Sequence, residues 1–570
     1  MSRKQYIKKL NKTALRWILK KSKSQFISII ILVFLYTALA VLGIYVAVCS
    51  KYVVNAATGH DPAYVDNRMD GVLFYGILFA SIIVLEIIIS IMQRIFVFRI
   101  SAKLEISYKT ELFTQIIQKE FADITKYHSG ELLNRLTSDI STITGAIVTI
   151  IPSLTFMIVK LVGVFIVLMQ ISIPFTLIFL VVGGFSMFVA SLYKNKMKYL
   201  HKRAQETDGK VRSFLQEIVA SLLVIKSFEA EDKVAENAEN LQNDNYVIKR
   251  KRNTISVISS SAFSFVFMIG YAFALIWGAY NIVQGNITYG VLTEVISLIT
   301  QIQGPISGLT GIFPTYFAAT ASAERIMEIE NLPNEKKIND SNPDVKKTYD
   351  NLVSIDFENI TFSYDRDVVL ENTSLSINKG DFVAIMGITG IGKSTLMKLL
   401  MSVFRIDGGS IYMTLNNGEK MYVDKNLRRM FAYVPQGNFL LSGTIRENLT
   451  FVAPNATDDD IYRCLDLACA DFLKDLPKGL ETKLGERGVG LSEGQIQRLA
   501  IARALLTEAP ILLLDECTSA LDEETEKKLL TKLKMLKNKT CIIITHKKAA
   551  LSICNKEVII KDKKIVVKET

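Results

Sequence analysis

The sequence predicts a two-part membrane protein: an all-α transmembrane domain of six helices, followed by an α/β domain built on a phosphate-binding loop. Three observations carry this prediction. Apolar residues make up 49% of the 570-residue chain and gather in long runs before about residue 320, beyond which the composition is that of a water-soluble domain. The stretch Gly387-Ile-Thr-Gly-Ile-Gly-Lys-Ser394 fits G-x-x-x-x-G-K-[ST] between the short apolar strand Phe382–Met386 and a helix starting near Lys393. A second apolar strand, Ile511–Leu514, ends in Asp515-Glu516.

The elements follow in order. Residues 1–24 place Ile7, Leu10, Ala14, Trp17 and Ile18 on one helical face, with Lys4, Lys8, Lys9, Lys12, Arg16 and Lys20 largely elsewhere. This predicts an interfacial amphipathic helix on the inner leaflet; a solvated basic leader is the alternative. The transmembrane domain spans 25–325. A membrane helix needs about 20 apolar residues, and the runs 26–48, 71–92, 142–169, 173–193, 255–282 and 289–317 qualify. The connections 51–70, 170–172 and 283–288 are short and carry few basic groups. Those at about 93–141 and 194–254 are long, basic and helically periodic. The basic bias predicts a cytoplasmic location for the long connections and the N-terminus in a multi-pass protein of the cell membrane. Residues 326–350, with Pro333 and Pro343 and little periodicity, read as a linker, and 351–570 as the nucleotide-binding domain.

The formal charge of +11 comes from 67 Lys and Arg against 56 Asp and Glu. Its densest stretch, Arg3 to Lys23, directly precedes an apolar run, so anionic lipid explains the excess and no nucleic-acid partner is expected. Cys49, Cys464, Cys469, Cys517, Cys541 and Cys554 form no close CxxC pair, which excludes a zinc site of that kind and a disulfide scaffold and fits a reducing cytosol. The run 25–48 is longer than a signal h-region and lacks a small-residue cleavage pattern, so no signal peptide is expected.

Each chemical group in the second domain has a physical reason. Glycines allow the backbone of Gly387, Ile388, Thr389, Gly390, Ile391 and Gly392 to approach phosphate oxygens, and the helix opening at Lys393-Ser394-Thr395 offers free N–H groups and a partial positive charge. Lys393 suits the β- and γ-phosphates and Ser394 suits Mg2+. Asp515, at a strand tip beside the loop, suits an outer-shell Mg2+ partner, and Glu516 is placed to polarise an attacking water. The competing reading of Asp-Glu at a strand end is an N-cap for the helix at 523–536. Inside the membrane runs, Glu86, Lys160 and Glu294, with Gln301, Gln303 and Pro305, mark polar positions costing about 2.5–3.5 kcal/mol per charge at the bilayer centre. They line a substrate path, with a kink at Pro305, or they pair structurally; both readings stand.

Leu491-Ser-Glu-Gly-Gln495, just before the second strand, resembles the signature of the ATP-binding cassette (ABC) family, with Glu493 where the commonest form has glycine. The resemblance implies an ABC exporter-type fold: six membrane helices fused to an α/β cassette, using ATP and Mg2+. In that family the signature of one cassette, here Ser492, Glu493, Gly494 and Gln495, closes over ATP held by the phosphate loop of another. The resemblance implies that Tyr364 stacks on adenine, Gln436 senses Mg2+, His546 is the switch histidine at the γ-phosphate, and Ser519-Ala-Leu-Asp522 crosses the dimer interface. Gly485-Glu-Arg-Gly488 is similar to the exporter segment that meets the coupling helices. Segments 121–139 and 211–231 resemble the cytoplasmic tips that carry those helices, expected near 121–127 and 212–222, and 318–329 resembles the exit from the sixth membrane helix.

Membrane domain before cassette, with six spans, resembles an exporter half-unit. The working unit is then a homodimer, or a heterodimer with a second half-transporter, that moves a substrate by alternating access. Two departures stand out: Lys547 follows His546 where exporters usually have arginine, and the usual Gly-x-His-x-x-Leu tail is lacking. The N-terminal region, Leu35–Ala40 and Tyr52–Thr58, resembles bacterial peptide exporters, so a modified peptide is the expected substrate, with any trimming done elsewhere because no N-terminal peptidase domain is expected. Drugs or lipids are the alternatives, and a nucleotide-gated channel a remote one. A soluble ATPase is excluded by the hydropathy.

Overall fold

The computed structural model describes residues 13–335, 343–364, 367–388, 390–437, 440–485, 490–536 and 539–569. Ile7, Leu10, Thr389, residues 486–488 and linker residues 336–342 therefore lie outside the described residues. The chain divides into two compact units. One comprises Met1–Phe113 with Gly130–Glu328, the other Thr114–Ser129 with Ile329–Thr570.

The first unit is built on long helices: α1 (Phe26–Thr58), α2 (Arg68–Gln118), α3 (Ile140–Ile171), α4 (Ile173–Ala220), α5 (Glu231–Val283) and α6 (Tyr289–Glu330). Among the described residues, four helical stretches are long and apolar enough to cross a membrane: Thr13–Thr58, Arg68–Gln118, Ser129–Ile171 and Glu231–Val283. Local chemistry marks the ends. Gly59, at φ 76°, ends α1 in the left-handed region that glycine adopts freely. Ser172 is extended and caps the Phe175 N–H, with Pro174 in the first turn of α4, where a missing N–H costs nothing. α6 runs as one helix through both Pro305 and Pro314. Phe175 packs between Phe273, stacked at 5.8 Å, and Trp277 at 4.5 Å, joining α4 to α5.

A π-helical turn, Arg135–Asp139, precedes α3. Both end residues are buried. Asp139 accepts from Ser322 Oγ and from Arg325 Nε, each at 2.8 Å, and Arg135 pairs with Glu131 and with Glu328. The stretch 129–139 is therefore the root of α3, tied to the end of α6. The first connecting turn, expected near 121–127, is the short helix Phe121–Ile124. The second, expected near 212–222, lies at Leu222–Ser227, because α4 continues to Ala220 before Ser221 leaves helical geometry. Leu222, Leu223, Val224 and Phe228 are exposed there. At the start of the described chain, the apolar face of residues 13–21 rests on α2: Ala14 and Ile18 are buried, Trp17 lies 6.4 Å from Tyr108, and Lys21 pairs with Glu111.

The second unit holds two sheets. An antiparallel sheet orders β2 (Asp367–Asn378), β1 (Leu352–Tyr364), β4 (Gly408–Leu415) and β5 (Lys420–Tyr422). The larger sheet orders β12 (Lys564–Glu569), β11 (Lys556–Lys561), β3 (Phe382–Met386), β10 (Thr540–Ile544), β9 (Ile511–Asp515) and β6 (Phe431–Val434). Its β11-β3-β10-β9-β6 run is parallel. A ribbon pairs β7 (Gly443–Thr444) with β8 (Lys483–Leu484). β3, β9 and β10 are continuous apolar runs because helices cover both faces of the larger sheet. Its helices α7 (Lys393–Leu400), α8 (Glu493–Leu506) and α9 (Glu523–Lys534) all start at site residues. Helix Val345–Asp350, within the expected linker, buries Tyr349 and joins its hydroxyl to Thr540 Oγ1 at 3.0 Å.

Residues 114–129 belong with this second unit through a short clip. Lys119 bridges Asn334, Glu120 N–H donates to Pro333 O, and Glu335 N–H donates to Gln118 O. The buried Lys119 ammonium donates to the Glu330 and Leu332 carbonyls at 2.7 and 2.6 Å. Glu335 then accepts from Arg428 Nη1 at 3.0 Å and pairs with Lys425 at 2.9 Å. Phe121 meets Phe404 edge-on at 5.7 Å, and Glu120 pairs with Arg405.

Candidate active site

The phosphate loop leaves β3 at Gly387 and enters α7 at Gly392, with φ values of 151° and 106°. A Cβ on Gly387 would come 2.9 Å from the Ile560 carbonyl oxygen, and one on Gly392 would meet Val369 Cγ1 at 2.3 Å. Glycine is needed at both for conformation and for space. No side chain caps α7, so its first N–H groups remain available to an anion. Lys393 is buried and folds back on the loop, donating to Gly387 O at 2.8 Å and to His546 Nε2 at 3.0 Å. An ammonium only donates, so His546 accepts through an unprotonated Nε2.

Asp515, at the tip of β9, is buried and accepts from Ser394 Oγ at 3.0 Å and from Tyr433 Oη at 3.0 Å. Burial pushes its carboxyl above the usual aspartate range, partly offset by those two hydroxyls. Burial, and then the Asp515 charge, push the Tyr433 hydroxyl up as well, which keeps it a donor. Glu516, at φ 49°, sits in the left-handed region disfavoured for a side-chain-bearing residue. Its Oε2 accepts from Gln436 Nε2 at 2.7 Å and its Oε1 lies 3.9 Å from His546 Nε2. One turn of chain thus directs two carboxylates differently, one to the buried serine and tyrosine and one toward the glutamine and histidine. The N-cap reading fails for this pair, since α9 is capped by Asp522, whose side chain accepts from Thr525 N–H at 2.9 Å.

Ser394, Asp515 and Gln436 present oxygen donors, which suit a hard cation such as Mg2+. Among the described residues no cluster of three His, Cys, Asp or Glu side chains competes as a metal cage. Tyr364, partly exposed, stands edge-on to Phe362 at 4.9 Å and to Phe404 at 5.4 Å, with its hydroxyl 3.2 Å from Thr395 Oγ1.

The signature opens α8 with a reciprocal capping box. Ser492 Oγ accepts from Gln495 N–H at 3.3 Å and Gln495 Oε1 accepts from Ser492 N–H at 2.9 Å. Glu493 takes the first helical position, where a negative charge suits the helix dipole. Sequence reasoning gave Tyr433 no role. Its signal was the apolar strand Phe431-Ala-Tyr-Val434, whose single hydroxyl stands one strand away from Asp515.

The polar membrane positions separate into two groups. Lys160 on α3 is buried, and its ammonium lies over Gly43 on α1, where a Cβ would come 2.1 Å from Nζ and 3.3 Å from Gln301 Oε1 of α6. The Gln301 oxygen is buried without a donor among the described residues. Glu294 is also buried but lies 3.5 Å from Lys51. Glu86 is half-buried and Gln303 exposed.

Family models match along the chain: the ABC transporter transmembrane region over residues 26–306 and the ABC transporter model over residues 370–519. A Rickettsia bellii protein with the provisional name export ATP-binding/permease protein is 30% identical, over 82% of this chain and 81% of that one. The chain belongs to the ABC transporter family. An ATP-dependent lipid A-core flippase of Syntrophus aciditrophicus is 28% identical, over 84% of this transporter and 79% of that protein. A provisionally named multidrug export ATP-binding/permease protein of Staphylococcus aureus is 29% identical, over 77% and 76%. The solved structure of a bacterial Atm1-family ABC exporter with ATP bound shares the fold at a TM-score of 0.78 and 22% identity, covering 96% of this chain and 94% of that one. This transporter is an exporter half-unit that couples ATP hydrolysis to transport across a membrane.

Proposed function

We propose that two copies of this chain form an exporter that moves an acidic amphiphile out of the cytoplasmic leaflet. The observation that carries the substrate class is Lys160. A cation buried among α1, α3 and α6 is costly in a membrane unless a substrate anion meets it. The names of the relatives, a lipid flippase and a multidrug exporter, support an amphiphile. Peptide export, expected from the N-terminal segments, finds no support among them.

The cassette residues take these roles. The phosphate loop, Lys393 and Thr395 bind the phosphates, and Tyr364 presents a ring edge or face to the base. Ser394, Asp515 and Gln436 would hold Mg2+, which supplies charge neutralisation at the phosphates. Glu516 orients the water and accepts its proton, and His546 leaves Lys393 to contact the γ-phosphate. Ser492, Gly494 and Gln495 serve the ATP of the second chain. The exposed apolar turn Leu222–Phe228 supports dimerisation, since it offers a second cassette a surface to grip. Because one chain holds Glu516, His546 and Ser492 together, two copies form two complete sites.

The test is ATPase stimulation in vesicles by acidic, zwitterionic and cationic amphiphiles. Acidic ones are expected to stimulate most. Lys160→Met should abolish that stimulation and spare the basal rate. Equal stimulation by cationic amphiphiles, or full stimulation of Lys160→Met, overturns the substrate class. Recovery of stability but not of stimulation in Lys160→Met/Glu86→Gln separates recognition from structural pairing.

A further inference from the structure

Residues 518–521, between Glu516 and Asp522, are held from two sides. On one side stands Gln497 of α8, 1% exposed, little more than one turn beyond Ser492. Its Nε2 donates to Ser519 Oγ at 3.0 Å and its Oε1 accepts from Ala520 N–H at 3.1 Å. Gly494 presses on the same loop, for a Cβ there would lie 3.0 Å from the Ala520 carbonyl oxygen. On the other side stands Lys547, the residue after His546. Its ammonium donates to the Thr518 and Leu521 carbonyls, both at 2.8 Å, and lies 3.4 Å from Glu526 Oε2. Glu526 is 1% exposed and neither of its oxygens has a hydrogen-bond donor among the described residues. Lys547 is thus fixed by three groups at once, two carbonyls and a buried carboxylate.

We propose that Lys547 is a positioning residue that carries the state of the chain's own switch histidine to its own signature, and so to the ATP held by the other chain of the dimer. The inference rests on the dimeric reading above. His546 faces the chain's own phosphate loop through Lys393. A shift of His546 displaces the adjacent Lys547, whose two bonds pull on the ends of the 518–521 loop. Gln497 and Gly494 transmit that displacement to the start of α8. The loop is a strut between one site's switch and the other site's signature. A lysine here serves as arginine would, since both donate to several acceptors, whereas an apolar side chain breaks the link and leaves the buried Glu526 carboxyl without its partner.

Mixed dimers with two affinity tags give the test. One chain carries Glu516→Gln, which silences its own site, and the other is wild type, so the remaining hydrolysis depends on the signature of the silenced chain. Adding Lys547→Met to the silenced chain is expected to lower that remaining kcat about tenfold, with KM for ATP little changed, and Lys547→Arg should restore it. An unchanged rate overturns the proposal, because Lys547 then acts only within its own site. Lys547→Met/Glu526→Gln removes the buried charge and guards against misfolding, and Gln497→Ala approaches the same strut from the signature side; both should show the same loss. Failure of the two tags to co-purify, even for wild type, overturns the dimeric reading and the proposal with it.

Discussion

The Tyr433 hydroxyl donates to Asp515 Oδ2 across 3.0 Å, reaching from β6 to the tip of the adjacent strand. It is one of two hydroxyls that satisfy a carboxylate otherwise isolated by burial. Tyr433→Phe should destabilise the cassette by about 1–3 kcal/mol, the cost of a buried acceptor left short of a donor. KM for ATP should rise in the presence of Mg2+ and stay unchanged in its absence. Thermal unfolding and nucleotide titration with and without the metal check both, and an identical loss in the two titrations would sink the link to Asp515.

Glu516→Gln should lower ATP hydrolysis by about 100-fold or more while nucleotide binding persists, the range expected for loss of a general base. The Gln436 bond and the left-handed backbone are both compatible with the amide. Wild-type turnover in this variant would remove Glu516 from the mechanism.

Asp356 reports on acid stability. It accepts from Ser354, Ser376 and Thr414, each at 2.6 Å. Burial alone raises its carboxyl, but the three hydroxyls outweigh this and hold it below the usual aspartate range. The folded state therefore prefers the charged form more than the unfolded chain does. That contribution is complete above the ordinary aspartate value of about 4 and is lost as pH falls through the lower folded value. Ser376→Ala should move acid unfolding of the cassette to higher pH, read by protease susceptibility during an acid titration.

The cassette cysteines should be silent in the native transporter. Cys464, Cys469, Cys517, Cys541 and Cys554 are all buried and unpaired by disulfides. Burial pushes every one of their thiols up, Cys554 to about 11. The thiolate is the reactive form, so maleimide at neutral pH should label these positions only after unfolding, as mass spectrometry would show. Fast native labelling of Cys517 would contradict the packing behind Glu516.

The phosphate loop, the Asp515-Glu516 strand end and the capped signature were legible because local chemistry fixes their spacing. Glycine at 387 and 392, a serine three residues before glutamine at 492, and an apolar strand ending in acid are all short-range patterns. The second connecting turn begins at Ser221, later than 212–222 suggests, because neither Pro nor Gly marks Ser221 and helical periodicity runs past it. The link of Asp139 to Arg325, separated by 186 positions, and that of Lys119 to Asn334 depend on how distant segments meet. Nothing in either sequence neighbourhood specifies the partner. Gln301 and Lys160 each stand out in the sequence as polar intruders; that they share the notch at Gly43 is a packing fact.

The clip at Lys119, Glu120, Asn334 and Glu335 has a practical consequence for anyone recombining transporters. A chimaera cut once, at the end of the sixth helix, would leave residues 114–129 behind in the donor and strand Arg405 and Phe404 opposite foreign neighbours. The transplantable ATPase is discontinuous in the gene: it begins at Ile329 and must bring its own copy of 114–129 with it.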